Sequence, residues 1–415
     1  MVNRQEYLQR LIRWREHPII KVVTGVRRCG KSTLFSLYVN HLKASGVGDD
    51  QIVAVNLEDV ANEHLQDYRA LHAYVLGKLC KGKYTYVFID EVQRCTQFEK
   101  VVDSLFVRRN VDVYITGSNA HMLSGELATL LSGRYVEIRM LPLSFAEYIL
   151  FSGAGDNPPD DVPSLFNAYL RNGSFPYVAM LRREKPMIRD YLDGIYNTIL
   201  IKDVASRERI TDLSVLEGIV RFLGSSIGSP ISAKRISDAI NAGGRRISVN
   251  TVDRYLRALS DSFLFYKVDR FDIKGKQHLK TLGKYYIVDT GLRNNLVSGN
   301  SPDLGHLLEN IVYLELIRRG YEVSIGKLAE KEIDFVASDS DGIAYYQVSA
   351  STLDASTLER ELEPLRKIAD HHPKFLLTLD DYMPSANYDG IRKLNLLNWL
   401  LDQPTDSVSE RHTRA

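Results

Sequence analysis

The sequence predicts an α/β protein whose N-terminal part is a parallel β-sheet covered by helices. Three observations carry that reading. A glycine-rich loop pattern separates an apolar run from a helical one between Ile19 and Phe35. Four further apolar runs alternate with helical patterns as far as Met140. The runs are continuous and do not alternate in–out, as expected of strands buried on both faces. With 415 residues, 44% hydrophobic and 25% charged, the chain has room for about two to four domains with real cores.

The elements follow in order. Residues 4–17 place Leu8, Leu11 and Ile12 at helical spacing before Pro18 stops the helix. A strand comes next (Ile19, Ile20, Val22, Val23), broken at Gly25, and a helix restarts after Lys31. Strands are then read at Gln51–Leu57, Tyr84–Asp90, Val111–Thr116 and Arg134–Met140, which closes a core at residues 1–142. Residues 143–207 turn helical, as a lid. Residues 208–290 change character, with helices Ser214–Ile227, Ser232–Asn241 and Ser248–Asp261 before a hairpin. The hairpin joins Phe263–Asp272 to Lys284–Val288, with Lys274-Gly275-Lys276 near its turn. Helices followed by a β ribbon read as a winged helix. Residues 291–402 form a last α/β unit. It has a helix at His306–Arg319 and strands near Tyr321–Ile325, Glu332–Ala337, Ala344–Ser349 and Phe375–Leu379, with helix Thr357–Ile368 before the last. Residues 403–415 are polar and read as a flexible tail.

The chemistry concentrates in Gly25-Val26-Arg27-Arg28-Cys29-Gly30-Lys31-Ser32-Thr33, which fits G-x-x-x-x-G-K-[ST] at every fixed position. Glycines let consecutive amides surround a phosphate, and the following helix adds its partial positive end. Lys31 supplies charge to the β and γ phosphates, and Ser32 offers a hydroxyl to Mg²⁺. Asp90, at the end of the third apolar strand, is placed to hold Mg²⁺ through water, and Glu91 to orient and deprotonate the attacking water. The fourth strand runs into Thr116-Gly117-Ser118-Asn119, where Ser118 or Asn119 is a candidate for the γ phosphate or the water. Arg134 is a candidate guanidinium for the transition-state charge, in the same subunit or a neighbouring one. Arg27 and Arg28 either contact phosphate or pair with a carboxylate. Cys29, among three cations and a helix N-terminus, is expected to have a depressed thiol pKa.

The stretches GVRRCGKST, VFIDEVQ, ITGSNA and LSGRYVEIRMLPLSFAEY resemble the bacterial and archaeal AAA-type ATPases of the AAA_14 group. In that group the core is followed by a C-terminal domain of unknown function. YLRNGSFPYV, KYYIVDTGLRN, LLENIVYLELIRRGYEV and KEIDFVA extend the resemblance over nearly the whole chain. It implies ATP and Mg²⁺ as ligands, Lys31 and Ser32 as phosphate and metal contacts, and Asp90 with Glu91 as the Walker B pair.

Charge is informative only locally. The chain carries +1, whereas residues 231–284 hold twelve basic and five acidic residues, leaving the remainder acidic. In helix Ser248–Asp261 the residues Val249, Val252, Leu256 and Leu259 form an apolar stripe, while Asn250, Arg254 and Arg257 share another face. That face, with Lys274 and Lys276 on the wing, is a candidate contact for double-stranded DNA; a protein partner is the alternative. Further on, Glu309, Asp334, Gln347 and Ser349 follow the order of a PD-(D/E)xK nuclease core, which the group's C-terminal domain is thought to resemble. Its Glu-x-Lys positions read Gln347-Val348-Ser349, so the site is degenerate: an amide is a poorer Mg²⁺ ligand and serine brings no charge. Lys327, Lys331 or Glu332 are the nearby substitutes.

Three cysteines without a CxxC pair and the absence of a long apolar run suit a cytoplasmic protein with no membrane role. The composite expectation is a P-loop NTPase parallel sheet with a helical lid, then a winged-helix domain and a restriction-endonuclease-like α/β domain. Such a chain is an ATPase acting as a nucleotide-driven switch on DNA, as a monomer or an oligomer. The alternatives are an ATP-gated metal-dependent nuclease and a regulatory ATP binder whose winged helix holds a protein.

Overall fold

β-Branched and aromatic runs with both faces to bury assemble the first sheet. In the computed structural model, which describes residues 4–123, 131, 133–153, 161–181, 184–210, 212–297, 303–381 and 383–402, they form five strands. These are β1 (Ile20–Thr24), β2 (Ile52–Asn56), β3 (Thr85–Asp90), β4 (Val111–Gly117) and β5 (Tyr135–Arg139). All pair in parallel, in the order β2-β3-β4-β1-β5. Every residue of β1 and β3 is buried. The tail read at 403–415 lies outside the described residues.

Helices α1 (Gln5–Arg13), α2 (Lys31–Ala44), α3 (Tyr68–Leu76) and α4 (Phe98–Phe106) complete this first unit, which runs to Pro142 and also takes in Asp261–Phe263. Its core joins Ile20 and Val22 of β1 to Val87, Ile89, Ile115, Leu71 and Leu105. At the N-terminal ends of the strands, fully buried Lys21 pairs with Asp112, whose other oxygen accepts Tyr114 Oη at 2.7 Å and Glu16 N–H at 2.8 Å. The buried charge is compensated on every side, as it must be.

The second unit begins at Leu143. Helices α5 (Phe145–Phe151), α6 (Val162–Asn172), α7 (Pro176–Met180) and α8 (Lys185–Thr198) occupy the span read as a lid. A π-helical stretch, Ile199–Ala205, extends α8. Then come α9 (Leu213–Ser225), α10 (Ala233–Ala242), α11 (Val249–Asp261), β6 (Phe265–Asp272), β7 (Gln277–Ile287) and α12 (Thr290–Leu296). The span closes with α13 (Leu304–Arg318), β8 (Glu322–Leu328), β9 (Lys331–Asp339), β10 (Gly342–Ser349), α14 (Ala355–Arg366), β11 (Lys374–Thr378), β12 (Ser385–Tyr388), β13 (Ile391–Asn395) and α15 (Leu396–Leu401).

Asp289 fastens the first helices of this unit to its middle. Fully buried, its carboxylate accepts Ser174 N–H at 2.5 Å, Ser174 Oγ at 2.8 Å and, through its other oxygen, Leu292 N–H at 2.8 Å. The approach is so close that a Cβ on Gly173 would lie 2.2 Å from the carboxylate, and one on Gly291 2.1 Å from the Asn172 carbonyl. The NGS and DTG stretches are the two halves of this clasp.

The hairpin extends further than the sequence indicates and is not a free ribbon. Beyond a register shift at Val268/Arg270, β6 pairs in parallel with β8 (Arg270↔Ile325). The hairpin therefore forms the edge of one eight-stranded sheet, β12-β13-β11-β10-β9-β8-β6-β7. Strands β12 and β13 escaped the reading because SANY and IRKLN are short and largely polar. No described helix is long and apolar enough to cross a membrane.

Candidate nucleotide-binding site

The loop between β1 and α2 leaves the sheet where β1 is flanked on both sides, with Thr24 in register with Gly117 of β4 and Arg139 of β5. Such a crevice, at the C-terminal ends of parallel strands, is where open α/β sheets take ligands. Gly25 has φ 149°, and a Cβ there would stand 2.1 Å from the Met140 carbonyl; Gly30 has φ 107°. Only glycine makes both turns.

Lys31 is buried, and its ammonium donates to the carbonyls of Gly25 (2.9 Å) and Val26 (3.2 Å), 3.6 Å from Glu91 Oε1. Ser32 bonds to the Asp90 carboxylate, which also accepts the Thr116 hydroxyl. Thr116 Oγ1 in turn accepts Glu91 N–H at 2.8 Å. Burial lifts the Asp90 pKa above the ordinary carboxyl value, and the bonds from Ser32 and Thr116 oppose that rise. Glu91 sits at φ 53°, a strained conformation for a non-glycine residue. Its Oε2 accepts both Gln93 Nε2 at 2.5 Å and Ser118 Oγ at 3.0 Å. Asn119 is buried beside Ser118, while Val26 is buried and Thr33 exposed.

Two expectations need correction. Cys29 is fully buried, and that burial pushes its thiol pKa up against the pull of Lys31 and Arg4. Desolvation outweighs the surrounding charge. Arg134 lies at the opposite end of the sheet, where its backbone carbonyl bonds to Ile20 N–H and its guanidinium pairs with Asp103 at 2.6 Å. Within one chain it does not reach the loop. Arg27 takes the carboxylate option, Glu58 at 2.9 Å, a residue shared with Arg94 at 3.1 Å; Arg28 is exposed at φ 65°.

Sequence reasoning missed three contributors. Thr116 and Gln93 stand beside singled-out residues, and their signal was the strand-end position. Buried Arg4 donates to the Cys29 carbonyl at 3.0 Å and the Leu141 carbonyl at 2.9 Å, tying α1 to the loop across a separation no motif encodes.

Residues 17–149 match the AAA domain family AAA_14, and residues 163–303 match a domain of unknown function, DUF8612. An uncharacterized protein of Haemophilus influenzae is 39% identical over 402 residues, covering 97% of this chain and 99% of the relative. The chain belongs to the AAA_14 family. A second relative, an uncharacterized protein of Methanocaldococcus jannaschii, is 30% identical over 338 residues, covering 76% of this chain and 71% of its own. Among solved structures, the Walker-type ATPase of Pyrococcus abyssi shares the fold, with TM-score 0.50 at 15% identity over 71% of this chain and 96% of that one.

The AAA_14 chain carries two further groups of candidate residues. Asn250, Arg254 and Arg257 are exposed along α11, and Lys274 and Lys276 are exposed at the hairpin turn. The buried face of α11 is Val252, Tyr255, Leu256 and Leu259; Val249, read as part of the stripe, is 39% exposed. In the C-terminal sheet, Glu309 (α13), Asp334 (β9) and Gln347 (β10) come together, with Asp334 N–H on Gln347 Oε1 at 3.3 Å. Ser349 spends its hydroxyl on the Ser351 carbonyl, and Lys331 is engaged by Glu363 at 3.0 Å.

Proposed function

We propose that this chain hydrolyses ATP with Mg²⁺ and uses the cycle as a conformational switch acting on duplex DNA. The observation that supports hydrolysis best is the continuous chain Ser32–Asp90–Thr116–Glu91–Lys31 at the strand ends. Lys31 is already held against the loop carbonyls that a β/γ phosphate would displace. Ser32 and Asp90 would hold the magnesium ion, which neutralises charge on the phosphate oxygens. Glu91 then orients the attacking water, with its second oxygen fixed by Gln93 and Ser118. Lys31→Ala is expected to lose nucleotide binding, whereas Glu91→Gln retains ATP and turns it over slowly. Wild-type turnover in Glu91→Gln would remove that residue from the role.

The DNA part of the reading is supported by the arrangement of residues 213–287. Gly228 and Ile231, between α9 and α10, bond to β7 (3.2 and 3.0 Å), and three helices precede the hairpin in the order a winged helix has, although here the hairpin is the edge of the eight-stranded sheet. The exposed Asn250, Arg254 and Arg257 suit phosphates and base edges. Filter binding should weaken steeply as salt rises and drop in Arg254→Ala/Arg257→Ala. Retention unchanged in that variant refutes the role of α11, and capture of a protein in place of DNA assigns the face to a partner.

A further inference from the structure

The cation missing from the C-terminal acid group comes from the hairpin, outside residues 291–402. Lys284, on the hairpin strand β7, is 4% exposed at its side chain and reaches Glu309 Oε2 at 3.2 Å and Glu332 Oε1 at 2.8 Å. Tyr286, two residues on and so on the same face of the strand, donates to the same Glu309 oxygen at 3.0 Å. Asp334 Oδ2 accepts Val348 N–H at 2.8 Å. The Gln347 amide is handed on, its Nε2 donating to Glu361 Oε2 at 2.9 Å, while Glu361 Oε1 takes Arg360. Glu309, Asp334, Gln347 and Glu361 are each only 8% exposed. Gly228 lies directly over the group; a Cβ on it would stand 3.2 Å from Glu309 Oε2.

We infer that the Lys284 ammonium is the resident cation of this acid group, standing where a divalent ion would otherwise be held, and that the group fastens the hairpin to the C-terminal sheet and cleaves nothing. A hard divalent ion requires about six oxygen ligands with water among them. Here one Glu309 oxygen already accepts an ammonium and a hydroxyl, and Gln347 is a neutral amide turned to Glu361. Burial alone would lower the Lys284 pKa, yet Glu309, Asp334 and Glu332 raise it above the ordinary value, so the ammonium stays charged. Burial, and then Glu309, hold the Asp334 carboxyl well above the usual range. The carboxyl groups of Glu309 and Glu332 are compensated by the one lysine that reaches both. A buried carboxylate group without its cation is not.

The test is Mn²⁺ uptake by the full-length, nucleotide-free protein, followed by the loss of the free-ion EPR signal. Wild type and Lys284→Arg are expected to take up no Mn²⁺ that Asp334→Asn removes. Lys284→Gln is expected to gain one ion per chain, bound more than about tenfold tighter than by wild type, and to lose it in Lys284→Gln/Asp334→Asn. If the neutral variant is unstable, Mn²⁺ should raise its melting temperature, and failure to do so counts against the inference. A folded Lys284→Gln without added uptake overturns it. So does wild-type Mn²⁺ binding, or metal-dependent plasmid nicking, that disappears in Asp334→Asn.

Discussion

Replacing Thr116 by valine keeps the shape of the side chain and removes one oxygen. That oxygen donates to Asp90 and accepts Glu91 N–H, and Thr116 is fully buried. Leaving a buried N–H without a partner costs about 1–3 kcal/mol, and losing a hydrogen bond to a charged group about 1.5–3 kcal/mol. Because both losses pass through one atom, we take the combined effect as about 3 kcal/mol. At a urea slope of about 2 kcal/mol per molar, that is a fall of roughly 1.5 M in the unfolding midpoint of the first unit. Trp14 emission in a Trp399→Phe background reports on that unit. The Thr116 bond favours the charged carboxylate, so its removal raises the Asp90 pKa further, and the acid limb of the ATPase pH profile moves to higher pH. Turnover should fall more than about tenfold through the displaced Glu91, and Thr116→Ser should restore both properties. A valine variant with the wild-type midpoint, pH profile and turnover would show that the Asp90–Thr116–Glu91 chain does not organise the site.

Gln93→Ala frees one of the two groups holding Glu91 Oε2, and it should lower kcat by about tenfold with KM nearly unchanged; a pure KM effect contradicts the positioning role. Cys29, buried and with its thiol pKa raised, should stay unlabelled by maleimide at neutral pH while partly exposed Cys80 reacts, with or without ATP; peptide mapping decides it. Asp289→Ala should cost about 3–5 kcal/mol, since it orphans the Ser174 and Leu292 N–H groups in the interior. Burial holds the Asp289 pKa above its unfolded value against those bonds, so it favours the folded state at low pH, and that contribution is lost as pH rises through the raised value. Asp289→Asn should remove this slope, and identical pH–stability curves for the two proteins would show that Asp289 does not titrate as described.

The phosphate loop and the Asp90-Glu91 pair were legible because their chemistry depends on neighbours in sequence: strand, turn, helix start. Arg134 misled because position along a parallel strand matters more than nearness to a strand. The C-terminal ends of β1, β3 and β4 gather at the loop, and Arg134 precedes β5. Lys284 falls in the basic stretch 231–284, where a charge tally treats every lysine as solvated, yet it is among the most buried cations of the described residues. The boundary placed at residue 291 followed a change of local pattern, and the pairing of β6 with β8 joins residues more than fifty positions apart, such as Arg270 and Ile325. Only tertiary hydrogen bonding records that.

The shared sheet also limits how this molecule can be cut. A fragment beginning at Gly291 would carry β8 without β6, leaving a row of unpaired amides beside Ile325, which is fully buried in the whole chain. Such raw edges recruit strands from other molecules. A fragment opening before α6 keeps β6 and β7 in place, and with them the Lys284 side chain and the Ser174 partner of Asp289, so the smallest well-behaved piece of the C-terminal half includes the basic helices. Here sheet hydrogen bonding, more than compositional change, sets where the chain can be cut: the hairpin and strands β8–β13 belong to one sheet.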